Sequence, residues 1–287
     1  FMHGGPSQVD TFDYKPQLTK DSGKAGKYGG GARGGALLGS PWKFNQHGKS
    51  GLWISSLLPS IAKHADELCL LRGMNCDQPN HAQAQTQTHT GTFQFIRPSM
   101  GAWSLYGLGT ENTDLPGFIV LGQAGTAINF GSAFLPAIYQ GTAINDIQSD
   151  AAIGNIRNSQ LSGTLQRKQL DLLQSMNRTA AAKNPANSEL EGVIESYELG
   201  FRMQSAVPAV MDLADESDAT LKQYGIGDSK TDSFGRQCLM ARRFAEAGVR
   251  FIELTHEGWD QHNNLKARLT SNCYATDGPI AALIDDL

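Results

Sequence analysis

The chain has 287 residues, 40% hydrophobic and 18% charged, with a net charge of −4. It is too apolar and too weakly charged for a disordered chain. It offers no general electrostatic attraction to nucleic acid and contains no run near the ~18 apolar residues of a membrane span. The four cysteines form no CxxC pair and are too few for a disulfide scaffold, whereas 32 glycines predict long, numerous loops.

In chain order, Phe1-Met2 reads as the tail of a buried strand and Gly4-Gly5-Pro6 as the turn after it. Residues 14–50 read mostly as loop. Gly29-x-Gly31-x-x-Gly34 matches a dinucleotide fingerprint by letters but lacks the strand before it. Gly48-Lys49-Ser50 resembles a P-loop end, with Lys43 where the first glycine belongs. From Trp53 onward, Ile54, Leu57, Leu58, Ile61, Ala62 and Ala65 keep helical spacing, with Pro59 as an interruption. Leu68–Leu71 then reads as a short buried strand, and Cys69, like the other cysteines, as a small buried hydrophobe. A polar segment from Asn75 to Gly91 holds His81 and His89. Phe118–Leu121 is a strand between Pro116-Gly117 and Gly122.

Residues 123–158 are loop-rich. Two core-facing helices follow. One spans 159–177 with a stripe of Leu161, Leu165, Leu172 and Met176. The other starts at a Ser188-x-x-Glu191 capping box, with a stripe of Leu190, Ile194, Tyr197 and Phe201. Phe234–Ala247 is an amphipathic helix, Gly248 its C′ residue and Val249–Leu254 a strand. A polar loop from Thr255 to Asn264 leads to a further helix near Thr270. This order predicts an α/β fold with a mostly parallel sheet. The strands Phe1-Met2, Leu68–Leu71, Phe118–Leu121 and Val249–Leu254 are expected to share it and to bring Asp10, His81 and Asp260 to one edge. The chain stops at Asp285-Asp286-Leu287 inside an apparent helix, so both ends suggest an internal fragment of a longer protein.

Ligands in open α/β sheets bind beyond the carboxyl ends of strands. The segment from His256 to His262 falls there, with two imidazoles and two carboxylates within seven residues. Asp260-x-His262 can present an oxygen and a nitrogen to one divalent ion, and such mixed sets suit Zn²⁺ or Mn²⁺. A solvated loop, or an acid–base site without metal, is the alternative. His3, Asp10 and Asp13 lie around the turn after the first strand, as ligands or as turn caps. A third group runs from Asn80-His81 to His89, with Thr86, Thr88, Thr90 and Thr92 around Gly91. A threonine hydroxyl beside a metal is a candidate nucleophile, against a loop satisfied by its own hydrogen bonds.

Several strings carry a family resemblance: His3-Gly-Gly-Pro-Ser-Gln-Val-Asp-Thr-Phe-Asp-Tyr-Lys-Pro16, Pro98-Ser-Met-Gly-Ala-Trp103, Tyr106-Gly-Leu-Gly-Thr-Glu-Asn112, Phe118-Ile-Val-Leu121, Gly131-Ser-Ala-Phe-Leu-Pro-Ala-Ile-Tyr-Gln-Gly141 and Gly258-Trp-Asp-Gln-His-Asn-Asn264. Over nearly its whole length the chain resembles the bacterial family called domain of unknown function 1501 (DUF1501), which is similar to the alkaline phosphatase and sulfatase superfamily. The resemblance implies a three-layer α/β/α sandwich, one domain over residues 1–287 with a largely helical insertion at 151–230. It also implies a two-metal hydrolase-like site and, because members usually carry a twin-arginine leader, export to the periplasm.

Carried over by position, Asp260 and His262 match the family's Asp-x-His metal pair, Asp10 the carboxylate after the first strand, and His81 a histidine opening the next active-edge segment. His256 is a further candidate ligand. Where the superfamily places its nucleophile this chain has Asn80-His81, and Thr90 is the nearest substitute. A second Asp-His pair is expected beyond Leu287. The resulting expectation is a metal-dependent hydrolase of phosphate or sulfate esters, acting on a small anionic ester or a sulfated or phosphorylated glycan. The alternative is an exported binding or assembly protein that kept the fold. The fragment by itself is expected to fold poorly and to lack esterase activity.

Overall fold

A computed structural model describes residues 1–26, 35–145, 147, 160–183 and 188–287. The Gly29–Gly34 letters and the side chains of Ser188 and Glu191 lie outside the described residues. In chain order the elements are α1 (Gln8–Thr11), α2 (Pro16–Lys20), β1 (Phe44–His47), β2 (Leu52–Ser55), α3 (His81–Thr90), α4 (Met100–Leu108), β3 (Phe118–Leu121), β4 (Thr142–Ile144), α5 (Gly163–Lys183), α6 (Ser188–Met211), α7 (Asp218–Gln223), α8 (Asp232–Glu246), β5 (Phe251–Leu254) and α9 (Leu265–Asp286), with short 3-10 turns between them. Contacts divide the chain into two compact units. One comprises Phe1, Cys76–Ser217 and Arg236–His256; the other comprises Met2–Asn75, Asp218–Gly235 and Glu257–Leu287.

The first unit is a mixed α/β unit around a small parallel sheet of order β4-β3-β5. Ile119 pairs with Thr142 on one side of β3 and with Ile252 on the other. All four residues of β3 are buried, which is why the strand is an unbroken apolar run rather than an alternating one. Phe1 continues the sheet beside β5: its carbonyl accepts from His256 N–H at 2.9 Å, and its nitrogen donates to the Leu254 carbonyl. Helix α4 packs so close to β3 that a Cβ on Gly101 would fall 2.5 Å from the Phe118 ring. Helix α8 buries Cys238, Ala241 and Phe244, the face its sequence pattern marks. It ends in a Schellman motif at Gly248 (φ +84°), with Val249 N–H on the Phe244 carbonyl and Gly248 N–H on that of Ala245.

Three expectations change in this unit. The polar segment before Gly91 is largely helix α3, capped at its start by Asn80 and at its end by Gly91 in the left-handed region. The helix expected over 159–177 runs from Gly163 to Lys183, and Leu165, Leu172 and Met176 of its apolar stripe are exposed. Its buried residues are Leu170 and Gln174. The Gln174 amide donates to the Ile194 carbonyl at 2.7 Å, and Arg167 clasps Glu198 with two hydrogen bonds of 2.8 and 3.0 Å, so polar contacts join α5 to α6, where each was expected to face the core with its apolar stripe. Tyr197 of the α6 stripe is likewise half exposed.

The second unit has an antiparallel hairpin, β1 with β2, in which Phe44 pairs with Ser55 and His47 with Leu52. Its core joins Ile54, Leu57, Leu58, Ile61, Ala62 and Ala65 to Trp259, Leu269 and Cys273. The helix expected from Ile54 is absent. Ile54 belongs to β2, and only Ile61–His64 forms a 3-10 turn. The apolar residues are all buried because an irregular segment threads the core, and the helical spacing is incidental. The Asp277 carboxylate closes this segment by accepting from the backbone N–H groups of Ser60 (2.8 Å) and Ile61 (2.9 Å). Leu68–Leu71 forms no strand: Leu71 and Cys69 are exposed, as is Cys76, so the buried-hydrophobe reading holds only for Cys238 and Cys273. Burial, with the carboxylates of Asp277 and Asp10 adding to it, pushes the Cys273 thiol up to about 12, so it stays protonated at neutral pH. Helix α9 begins at Leu265 rather than near Thr270, after Asn264 in the left-handed conformation.

Candidate functional site

The loop that follows β5 is braced from several sides within the second unit. Trp259 is buried in the core, and its backbone N–H donates to the His3 carbonyl at 3.1 Å. Gly258, at φ +84°, presents its carbonyl to the Asn272 amide at 3.0 Å. Gly4 lies against Asp260: a Cβ there would come within 2.9 Å of the Asp260 Cβ and overlap its backbone nitrogen. Gly4 also has φ +107°, so both conformation and space require glycine. The turn at Gly4-Gly5 expected from the sequence is present, with Gly5 N–H donating to the Met2 carbonyl.

On this support Asp260 and His262 meet, Oδ1 to Nε2, at 2.7 Å, with side-chain exposures of 44% and 78%. An exposed pair of this kind adds little to stability, and its donors are open to solvent. Imidazole nitrogen and carboxylate oxygen are the donor types that Zn²⁺ and Mn²⁺ accept. Two donors on one ion at ~2.0–2.2 Å sit roughly 3 Å or more apart, so a small opening of the pair fits an ion. Two ligands are short of the usual three protein ligands of a catalytic zinc.

The other expected site residues are placed as follows. Asp10 is buried in α1, where its Oδ2 accepts from the Ser7 hydroxyl at 2.6 Å. Asp13 pairs with Lys15 at 2.9 Å. His256 follows β5 and joins the Phe1 ladder through its backbone. His81 is the first residue of α3, preceded by Asn80, whose side chain accepts from Ala82 N–H at 3.1 Å. Thr90 stands at the other end of α3, about 13 Å along the helix axis. Its hydroxyl faces the carbonyls of Thr86 and Thr92, both at 2.8 Å, and it does not lie beside His81.

Sequence reasoning missed one pair in the first unit. His89, 6% exposed, points Nε2 at Glu253 Oε1 (2.8 Å) and Nδ1 at the Gln85 carbonyl (2.7 Å). The Phe1 ring meets the imidazole edge-on at 4.6 Å between centroids. Burial pulls the imidazole pKa down, but the hydrogen bond and charge of Glu253 outweigh it, and the pKa lies above the ordinary 6.5. The available signal was Glu253 itself, the one charged residue in the apolar strand Phe251–Leu254.

No curated protein and no solved structure matches the chain. The family described as "Protein of unknown function (DUF1501)" matches it over residues 1–287, and the chain belongs to the DUF1501 family.

Proposed function

We propose that this chain is part of an exported, metal-dependent hydrolase of phosphate or sulfate esters, built on a three-layer α/β/α, alkaline phosphatase-like fold. The observation that supports this reading is the solvent-open Asp260–His262 pair at 2.7 Å, on a braced loop that follows a parallel strand. A bound divalent ion, Zn²⁺ or Mn²⁺, would supply Lewis acidity toward the ester oxygen. Asp260 and His262 hold it, and the buried Trp259 together with the close fit of Gly4 keeps their loop from rearranging. By the family resemblance, Asp10, His81 and His256 are further ligands. The substrate is a small anionic ester or a phosphorylated or sulfated glycan, and the compartment the periplasm.

The test is metal content and affinity after loading with Zn²⁺ or Mn²⁺, followed by a panel of phosphate and sulfate esters. Asp260→Asn and His262→Ala each lose the ion, and Asp10→Asn, His81→Ala and His256→Ala assign the remaining ligands one at a time. Unchanged metal affinity in both Asp260→Asn and His262→Ala defeats the reading.

One observation favours a second reading, an exported binding or assembly protein without turnover. Asn80 serves as a helix cap, and the Thr90 hydroxyl is engaged by carbonyls of its own segment, so neither is free as a nucleophile. Metal binding without hydrolysis of any ester in the panel is the outcome this reading requires.

A further inference from the structure

Helix α3 has little apolar anchorage. Its sequence is His, Ala, Gln and Thr throughout, and its buried residues are His89 and Thr90 alone. The Thr90 hydroxyl bonds inside its own segment. Thr86 reaches Asn129 only at 3.5 Å. Gln87 exchanges hydrogen bonds with Asp77 in the loop before the helix, and among the described residues it is His89 that reaches the sheet, at Glu253 of β5.

The chemistry of the two partners fixes the protonation of that histidine. A backbone carbonyl only accepts, so Nδ1, 2.7 Å from the Gln85 oxygen, carries a hydrogen. An ionised carboxylate only accepts, so Nε2, 2.8 Å from Glu253, carries one too. Both conditions together describe an imidazolium. Other groups around it do not replace this arrangement. The backbone nitrogen of Phe1 is turned to the Leu254 carbonyl rather than to the imidazole's partners. The Phe1 ring presents no acceptor. Cys238 of α8 is a thiol that burial keeps protonated.

We propose that His89 is a pH-released latch, an imidazolium that ties α3 to β5 and frees the helix when it loses its proton. Without that proton, one ring nitrogen turns a lone pair toward an acceptor, either the Glu253 carboxylate or the Gln85 carbonyl, and a favourable contact becomes repulsive. The direction follows from the raised pKa. The tie is fully present below the ordinary histidine value and is lost as pH rises through the raised one. The latch stands independently of the hydrolase reading: it uses none of the proposed metal ligands, and either idea survives failure of the other.

The test combines side-chain nitrogen NMR of the histidines with hydrogen exchange of the α3 amides, in the full chain, from about pH 6 to about pH 9. Near neutrality His89 is expected to show both ring nitrogens protonated and to titrate above the free-histidine value. As it titrates, α3 protection falls several-fold beyond the intrinsic base-catalysed increase, while β3 protection does not. In Glu253→Gln the α3 amides exchange fast at every pH, and that pH-dependent step disappears. His89→Gln serves as a second variant if Glu253→Gln folds poorly, with the same expectation. A neutral His89 with a single protonated nitrogen near neutrality overturns the latch. So does α3 exchange that follows only the intrinsic rate through the titration.

Discussion

Two histidine–carboxylate pairs in this protein have nearly the same length and different physics. His89–Glu253 spans 2.8 Å with exposures of 6% and 15%, and His262–Asp260 spans 2.7 Å with 78% and 44%. In the first, burial leaves little room for water and protein groups fill both ring nitrogens, so removing one partner strands the other. In the second, water competes with every contact, the pair contributes little by itself, and its donor atoms are open to solvent. Distance alone does not separate a buried fastener from an exposed, solvated pair; the environment of the second ring nitrogen and the solvent does.

The contrast can be pressed hardest through the support of the exposed pair. Trp259→Ala removes a fully buried indole and is expected to lower unfolding free energy by about 3–5 kcal/mol, with loss of metal binding because the loop loses its core anchor. Denaturant melts with metal titration check both. Glu253→Gln tests the buried pair and should cost about 2–4 kcal/mol near neutral pH. The raised pKa of His89 sets the sign: the deficit relative to the parent narrows as pH rises through that value, because the parent then loses the same interaction. Melts at a series of pH values show it, and a deficit that widens with pH contradicts the assignment. Gly4→Ala, forced into φ +107° against Asp260, should cost about 1–3 kcal/mol and weaken metal binding by displacing Asp260, although no ligand is replaced. The smallest effect belongs to His262→Ala, within about 0.5 kcal/mol on stability, with metal affinity lost. A large stability change there would mean that the exposed pair is a fastener after all.

What the sequence discloses follows the same line. The unit from α8 through Gly248 to β5 was legible because one apolar face, one C′ glycine and one short apolar strand agree, and β3 because a central parallel strand is apolar throughout. The loop carrying Asp260 and His262 was legible from its polarity after that strand. Helix α3 was hidden because it has no apolar face; its caps, the hydrogen bonds of Gln87 with Asp77 and the buried His89–Glu253 pair leave no hydrophobic period. The opposite failure occurs at Ile54–Ala65, where buried residues in a strand, a turn and a 3-10 segment imitate helical spacing. At Leu165, Leu172 and Met176 a stripe exists in the letters but not in the packing, because Arg167, Gln174 and Glu198 set which side of α5 faces α6. His89 was visible as a residue but not as a pair, since its partner lies 164 positions away.

The hydrogen bond from Trp259 to His3, with Gly4 seated on Asp260, has a consequence for how the chain is made. At about 5–20 residues per second of synthesis, the segment around Gly4 waits on the order of 10–50 s for the stretch it docks against to be polymerised. During that interval its glycine-rich turn has no partner to define it, and closing so long a loop carries an entropic cost that local structure cannot offset. The Gly4 turn therefore cannot take its final shape until the Asp260 loop has been made.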